Sequence, residues 1–198
     1  ANVCYNVVLA FQRNAQTRAY HQTSKNFTFS ARASHPEDRR EIYIMVVGET
    51  SRAMNWSLYD YNRETNPELA NMEGITAFCH ALTESNTTHK SVPMLLSSVS
   101  ASNFDSIYYQ KSIITAFKEA GFQTAFFSNQ RYNHSFIDFF GMEADTYDFI
   151  KEDSDDSKYN PSDDELLKLV EQELRKGNQK QFIVLHTYGS HFNYRERY

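Results

Sequence analysis

Apolar residues along this chain fall into a few short runs set among long polar stretches, and the runs differ in period. "EIYIMVVG" (residues 41–48) is continuous, rich in β-branched residues and closed by glycine, which predicts a central β-strand. "SIITAFKEAGF" sets Ile113, Ile114, Phe117 and Ala120 at helical spacing, with Gly121 as the stop. "QTAFFSN" (residues 123–129) follows at once as a second buried strand. In "PSDDELLKLVEQELRKGN", Leu166, Leu167, Val170 and Leu174 form one helical face. Ser162 and Glu165 spell an S-x-x-E capping box, Asp163 and Asp164 fall in the first turn, and Gly177 closes the helix after Arg175 and Lys176. "QFIVLHTYGSH" (residues 181–191) then reads as a third strand running into a loop. Strands alternating with helices predict an α/β domain, a mostly parallel central sheet flanked by helices.

Outside these runs the pattern fades. Residues 1–40 are polar and irregular and read as an arm or linker carrying one helix over about residues 5–20, with "HPEDRR" as an exposed boundary. Residues 41–198 then form the domain. "KEDSDDSKYN" (residues 151–160) reads as a solvated acidic loop. No stretch reaches the roughly 18 apolar residues that span a bilayer, and the start lacks the charged region and cleavage site of a signal peptide. The last residues stop on no helix end or tail, so the chain is expected to be cut at both ends.

Composition changes this picture only at two points. Aromatic residues make up 15% of the 198 residues, which suggests a large core and a groove with aromatic walls. A net charge of -5 gives no footprint for a polyanion and excludes nucleic acid as a partner. Cys4 and Cys79 are far apart and form neither a metal knuckle nor a disulfide framework.

In open α/β sheets ligands bind beyond the carboxyl ends of the strands. Glu49 follows the first strand, Asn129 and Gln130 the second, and His186 and His191 lie at and after the third. "TESNTTHKSVPMLLSSVSA" (residues 83–101) adds a Ser/Thr cluster leading into an apolar run, helical from about Lys90 because Pro93 is tolerated only in a first turn. Thr87 and Thr88 then flank a helix N-terminus, where N–H groups and the dipole favour an anion or phosphate. Each feature has a purely structural alternative. Glu49 can be a loop carboxylate or helix cap, and Thr88 an N-cap residue. His191 can be a hydrogen-bonded surface histidine, His186 a satisfied core group, and Asn129 and Gln130 turn formers. Their joint placement is what points to a site.

"VVGETSRAMNWSLYDYNRETNPEL" resembles a segment of the phosphoethanolamine transferases that modify bacterial lipopolysaccharide, a branch of the alkaline-phosphatase and sulfatase superfamily. There a strand ends in G-E-[TS]-x-R before an S-L-Y-G-Y-x-R-x-T-x-P-like stretch, and Asp60 stands here at the usual glycine. "TTHKSVPMLLS" is similar to that family's T-x-x-S-V-P segment, and "LHTYGSHFNYRERY" to its L-H-x-x-G-S-H-x-x-Y-x-x-R-Y. The resemblance covers residues 41–198 in order and implies an alkaline-phosphatase/sulfatase-like fold.

It also implies an enzyme that moves phosphoethanolamine from phosphatidylethanolamine to a cell-envelope acceptor, lipid A or lipopolysaccharide core. By the resemblance Thr88 is the nucleophile and forms a phosphothreonine-type intermediate. Glu49 and Thr88 are ligands of a Zn²⁺ ion, with a second ion as an alternative, since zinc accepts carboxylate and alkoxide oxygen and activates a hydroxyl. His191 binds the phosphate or a second metal, His186 is a weaker candidate, and Asn129, Gln130 and His134 sit where the family places substrate-binding polar side chains. The family further implies a membrane anchor, absent from this sequence, and a periplasmic domain at the bacterial inner membrane. Two departures qualify this, and one further feature disfavours arylsulfatase activity. Glu84 and Met94 stand where lipid A enzymes carry disulfide cysteines, pointing to a more distant branch. "SVPML" lacks the arginine of the arylsulfatase C/S-x-P-x-R motif. No Asp-His dipeptide completes the zinc site, so the chain is expected to be a fragment, weakly metallated and inactive alone. A lipoteichoic-acid-synthase-like glycerol phosphate transferase and a non-catalytic phosphate-binding domain are the alternatives.

Overall fold

The computed structural model describes residues 2–151 and 161–191. In chain order the elements are α1 (Asn2–Thr23), β1 (Glu41–Val47), α2 (Pro67–Ala70), α3 (Thr88–Leu96), α4 (Ile113–Glu119), β2 (Gln123–Arg131), α5 (Phe136–Gly141), β3 (Thr146–Lys151), α6 (Glu165–Arg175) and β4 (Lys180–His186). The strands form one sheet in the order β1-β4-β2-β3, and every neighbouring pair is parallel.

The two inner strands are buried along almost their whole length, as strands covered on both faces require. Their side chains divide by alternation. Phe126, Phe182 and Val184 pack with Val92, Leu96, Ile107, Ile114 and Phe140 on one face. Ala125, Phe127, Ile183 and Leu185 pack under Leu166 and Val170 of α6 on the other. Helices therefore lie on both faces, as the alternation of strands and helices predicts. On the first face Phe117 stacks on Phe182 at 3.9 Å between ring centroids. Gly141 lies so close to Phe126 that an added Cβ would come within 2.5 Å of the ring.

Several expectations need correction. A fourth strand, β3, sits at the sheet edge; its mixed half-buried pattern gives it no clear apolar run. α5 is almost wholly buried, so "FIDFFG" has no polar face to betray a helix. The S-x-x-E capping box is not formed. Glu165 is the first residue of α6, its N–H meets the Ser162 backbone carbonyl, and Ser162 bonds the Asp164 carboxylate instead. α3 begins at Thr88 rather than near Lys90, so Pro93 lies inside the helix. Thr87 takes the extended N-cap conformation and its carbonyl accepts from the N–H groups of Lys90 and Ser91, which sets the start two residues early.

The helix expected over residues 5–20 spans Asn2–Thr23 and is not wholly free. At its end Tyr20 is buried among Phe136, Phe139 and Phe140, and its hydroxyl donates to the Gln110 carbonyl and to Glu143. Cys4 and Cys79 are exposed free thiols. The expected acidic loop, beyond Lys151, lies outside the described residues.

At the amino ends of the strands, Lys180 Nζ donates to Glu41 at 3.0 Å, with both side chains buried. Hydrogen bonds from Lys180, and after it from His35 and Tyr43, hold the Glu41 carboxyl down at about 2, against 4.5 ordinarily. Because the folded value is depressed, this contribution is complete above pH 4.5 and disappears as pH falls toward 2. Glu41→Gln should therefore lower the melting temperature at neutral pH, and the gap from the parent should close progressively below pH 4.5. A gap that stays constant down to pH 2 would show that the Glu41 charge is not what stabilises this end of the sheet.

Candidate active site

Register brings the site together. Val47 pairs with His186, and His186 pairs with Ser128, so the carboxyl ends of β1, β4 and β2 stand abreast. The chain leaving β1 reaches Glu49 two residues later. Glu49 is half-buried, and both its oxygens are occupied: Oε2 accepts from Thr88 Oγ1 at 2.8 Å and Oε1 from Thr50 Oγ1 at 2.9 Å. Thr50 holds a φ of +53°, a left-handed conformation that costs a β-branched residue on the order of 1–2 kcal/mol. Thr88 is the first residue of α3, so its hydroxyl lies at the positive end of the helix dipole.

The opposite wall is the loop after β4. Thr187 N–H continues the ladder by donating to the Val47 carbonyl at 3.0 Å, and Ser190 N–H donates to the Glu49 carbonyl at 3.2 Å. Gly189, at φ +52°, lies against the Glu49 backbone so tightly that a Cβ would fall 2.6 Å from its carbonyl oxygen. His191 stacks on Tyr188 with centroids 4.9 Å apart, and Lys151 Nζ lies 3.4 Å from the Tyr188 ring centroid.

Glu49, Thr88, Gln130, His186 and His191 line one cleft of about 210 Å³, with Arg131 at its side. A broader groove of about 810 Å³ also reaches Glu49 and Thr88, between walls that include Arg52, Trp56, Leu69 and Val92. The pair thus lies where two openings meet. Gln130 is fixed by donating to the Thr187 carbonyl at 2.8 Å.

His186 is buried. Burial pushes its pKa down to about 4, against smaller opposing effects of Glu49 and Asp163, so the ring is neutral at ordinary pH. Its Nδ1 lies 3.4 Å from Ser128 Oγ, and among the described residues its Nε2 meets no hydrogen-bond partner.

Two of the expected site residues are not in the cleft. Asn129 is fully buried and its side-chain amide donates to the Pro161 carbonyl and to Asp163 Oδ1, bracing the segment before α6. His134 is exposed, at φ +60°, with its ring against Tyr132. Sequence reading also missed Asp163, which accepts the backbone N–H groups of Tyr188 and Gly189 at 2.8 and 2.9 Å. Two adjacent aspartates before a helix look like first-turn charges, and nothing local marks one as a clamp. Asp60, by contrast, explains itself: at φ 65° and ψ 21° it holds the left-handed conformation that glycine takes freely and aspartate tolerates.

Among the described residues no group of three or more His, Cys, Asp or Glu side chains could hold a metal ion. Glu49 and Thr88 offer two adjacent oxygen donors where zinc takes four ligands, so they fit part of a zinc site and not a whole one.

A family model described as Sulfatase matches residues 41–198, starting where β1 starts. The chain belongs to the sulfatase family. Among curated sulfatase-family relatives, YhbX of Escherichia coli K12, named as a candidate transferase, is 33% identical over 156 residues, which is 76% of this chain and 27% of that protein. The Kdo(2)-lipid A phosphoethanolamine 7''-transferase of the same strain is 27% identical over 191 residues, 88% of this chain and 31% of that one. The crystal structure of the C-terminal periplasmic domain of EcEptC from Escherichia coli in complex with zinc superposes with a TM-score of 0.75 at 27% identity, covering 84% of this chain and 48% of that domain. The parallel sheet with helices on both faces is thus a sulfatase-like fold, and this chain spans less than a third of these curated relatives and about half of the solved domain.

Proposed function

We propose that this chain is part of a phosphoethanolamine transferase in which Thr88 takes phosphoethanolamine from phosphatidylethanolamine. The observation that carries the reading is the 2.8 Å bond from Thr88 Oγ1 to Glu49 at the first residue of α3. A threonine hydroxyl is a weak nucleophile and needs a proton acceptor or metal beside it. Glu49 is placed to take the proton, and its second oxygen is held by Thr50, so the carboxylate faces Thr88.

In the proposed step Thr88 Oγ attacks the phosphorus of the donor, the Oγ–P bond forms and the P–O bond to diacylglycerol breaks. The Thr88 proton passes to Glu49, and the leaving alkoxide takes a proton from solvent. The amino end of α3 stabilises the negative charge gathering on the phosphoryl oxygens. Gln130 and His191, across the cleft, hold the phosphate; His186 stays neutral behind them and shapes the wall. Asn129 acts at a remove, by bracing Asp163, and His134 takes no part in this step. The groove beside Trp56 and Leu69 receives the glycerol ester portion of the lipid. An acceptor hydroxyl or phosphate on lipid A or lipopolysaccharide core then attacks the same phosphorus, the Oγ–P bond breaks, Thr88 regains its proton from Glu49, and any proton on the acceptor oxygen passes to solvent. A zinc ion, with Glu49 and Thr88 as two of its ligands, would lower the pKa of the hydroxyl.

The name of the Kdo(2)-lipid A phosphoethanolamine 7''-transferase supports the transferred group and the acceptor class, and the EcEptC domain supports zinc and a periplasmic setting. No described helix is long and apolar enough to cross a membrane, so attachment to the inner membrane is proposed for the whole protein and not for these residues. The test is to incubate the full-length protein, with zinc, with vesicles of phosphatidylethanolamine or of phosphatidylglycerol. Diacylglycerol should be released from phosphatidylethanolamine only. Release from phosphatidylglycerol alone would replace this reading with glycerol phosphate transfer, and release from neither would leave a phosphate-binding domain.

A further inference from the structure

Asp163 does more than precede a helix. Its Oδ1 accepts from Asn129 Nδ2 and from the Tyr188 backbone N–H, both at 2.8 Å, and its Oδ2 accepts from the Gly189 N–H at 2.9 Å. Three donors therefore converge on one carboxylate, an acceptor-only group. They come from the end of β2 and from the loop after β4, while Asp163 itself lies just ahead of α6.

That loop presses on the reacting pair. Gly189 packs against the Glu49 backbone, Ser190 N–H holds the Glu49 carbonyl, and the His191 ring stacks on Tyr188. Asn129 is next to Gln130, whose amide holds the Thr187 carbonyl of the same loop. Any shift of Tyr188 and Gly189 must move Glu49 relative to Thr88 and His191 relative to both.

We propose that Asp163 is a positioning residue that fixes the Tyr188–His191 loop and, through Gly189, sets Glu49 against Thr88. This rests on the reading of Thr88 as nucleophile. Asp163 lines neither the cleft nor the broader groove, and it acts on the pair through the loop backbone and Asn129. Charge-assisted bonds to backbone N–H groups are about twice as strong as neutral ones, and asparagine in the same place would turn an amide N–H toward one of the three donors.

The experiment compares Asp163→Asn, Asn129→Ala and Thr88→Ala in the full-length, zinc-loaded protein. It reads kcat and KM for phosphatidylethanolamine together with backbone hydrogen exchange. In Asp163→Asn, kcat should fall by about tenfold to a hundredfold, as small misplacements of reacting groups do, with KM within about twofold. Exchange at Tyr188 and Gly189 should quicken at least about tenfold, while Phe182–Leu185 in β4 keep their protection. Asn129→Ala, which removes one donor and leaves the carboxylate, should shift both readouts in the same direction by less. The proposal is overturned if Asp163→Asn leaves kcat unchanged, if protection is lost across the whole of β4, or if Asn129→Ala moves neither readout. Thr88→Ala separates the two claims: it should keep the Tyr188 and Gly189 protection, and if it still turns over the donor, the nucleophile assignment fails while the exchange data still judge Asp163.

Discussion

Thr88→Ala is expected to lower turnover of phosphatidylethanolamine by about 10³-fold or more, because removing a nucleophile removes the covalent route itself. Its effect on the fold should be small. The substitution deletes one half-buried hydrogen bond, to Glu49, on the order of 1 kcal/mol. Alanine is also a good helix residue, so α3 should still begin at this position. The contrast between a large kinetic loss and a small stability loss separates a catalytic hydroxyl from a capping one. Thr88→Ser supplies the control, since it keeps an oxygen at the same place and should retain measurable turnover. Steady-state kinetics and a denaturant midpoint on the three proteins decide this. If Thr88→Ala lost stability and kept turnover, Thr88 would be a structural residue at the start of α3.

Gly189→Ala should be the most damaging change of a single hydrogen to a methyl near the site. The residue holds φ +52°, which costs an L-amino acid about 1 kcal/mol. The new Cβ would also stand 2.6 Å from the Glu49 carbonyl oxygen and 3.0 Å from its nitrogen. These are backbone atoms that cannot rotate away, and relief of such overlap costs a further ~1–3 kcal/mol. A total near 2–4 kcal/mol would appear as a clear fall in the denaturant midpoint. The relief must come from moving Glu49 or the loop, so turnover should fall by about a hundredfold even in the fraction that folds. Unchanged stability in Gly189→Ala would mean that the loop and Glu49 are not in the contact described here.

Much of the frame was legible in the chain. β2 and β4 stand out because parallel strands buried on both faces are continuous apolar runs; β1 carries such a run too, although as an edge strand it leaves Tyr43, Ile44 and Val46 exposed, and α4 and α6 show their periodicity and their glycine stops. β3 and α5 were not legible, for opposite reasons. An edge strand with exposed Tyr147 and Asp148 lacks an apolar face, and a six-residue helix buried on nearly every side lacks a polar one.

The site divides in the same way. Glu49, Gln130, His186 and His191 follow from where strands end, and Thr88 from where a helix begins, so local rules place them in one cleft. Asn129 satisfies the same local rule yet turns away, because alternate residues along β2 face opposite sides of the sheet. Asp163 is invisible to local rules. Its three donors come from residues 25 to 34 positions away along the chain, brought to it only by the folding of α6 beside β4.

The most direct test of the account is to find where the phosphoethanolamine goes. The full-length, zinc-loaded protein is mixed briefly with phosphatidylethanolamine and no acceptor, quenched in acid and digested, and the modified peptide is sequenced by mass spectrometry. The account predicts one phosphoethanolamine ester, on Thr88, that disappears in Thr88→Ala and is discharged when acceptor is added. An ester on another residue, or one that persists in Thr88→Ala, would contradict it.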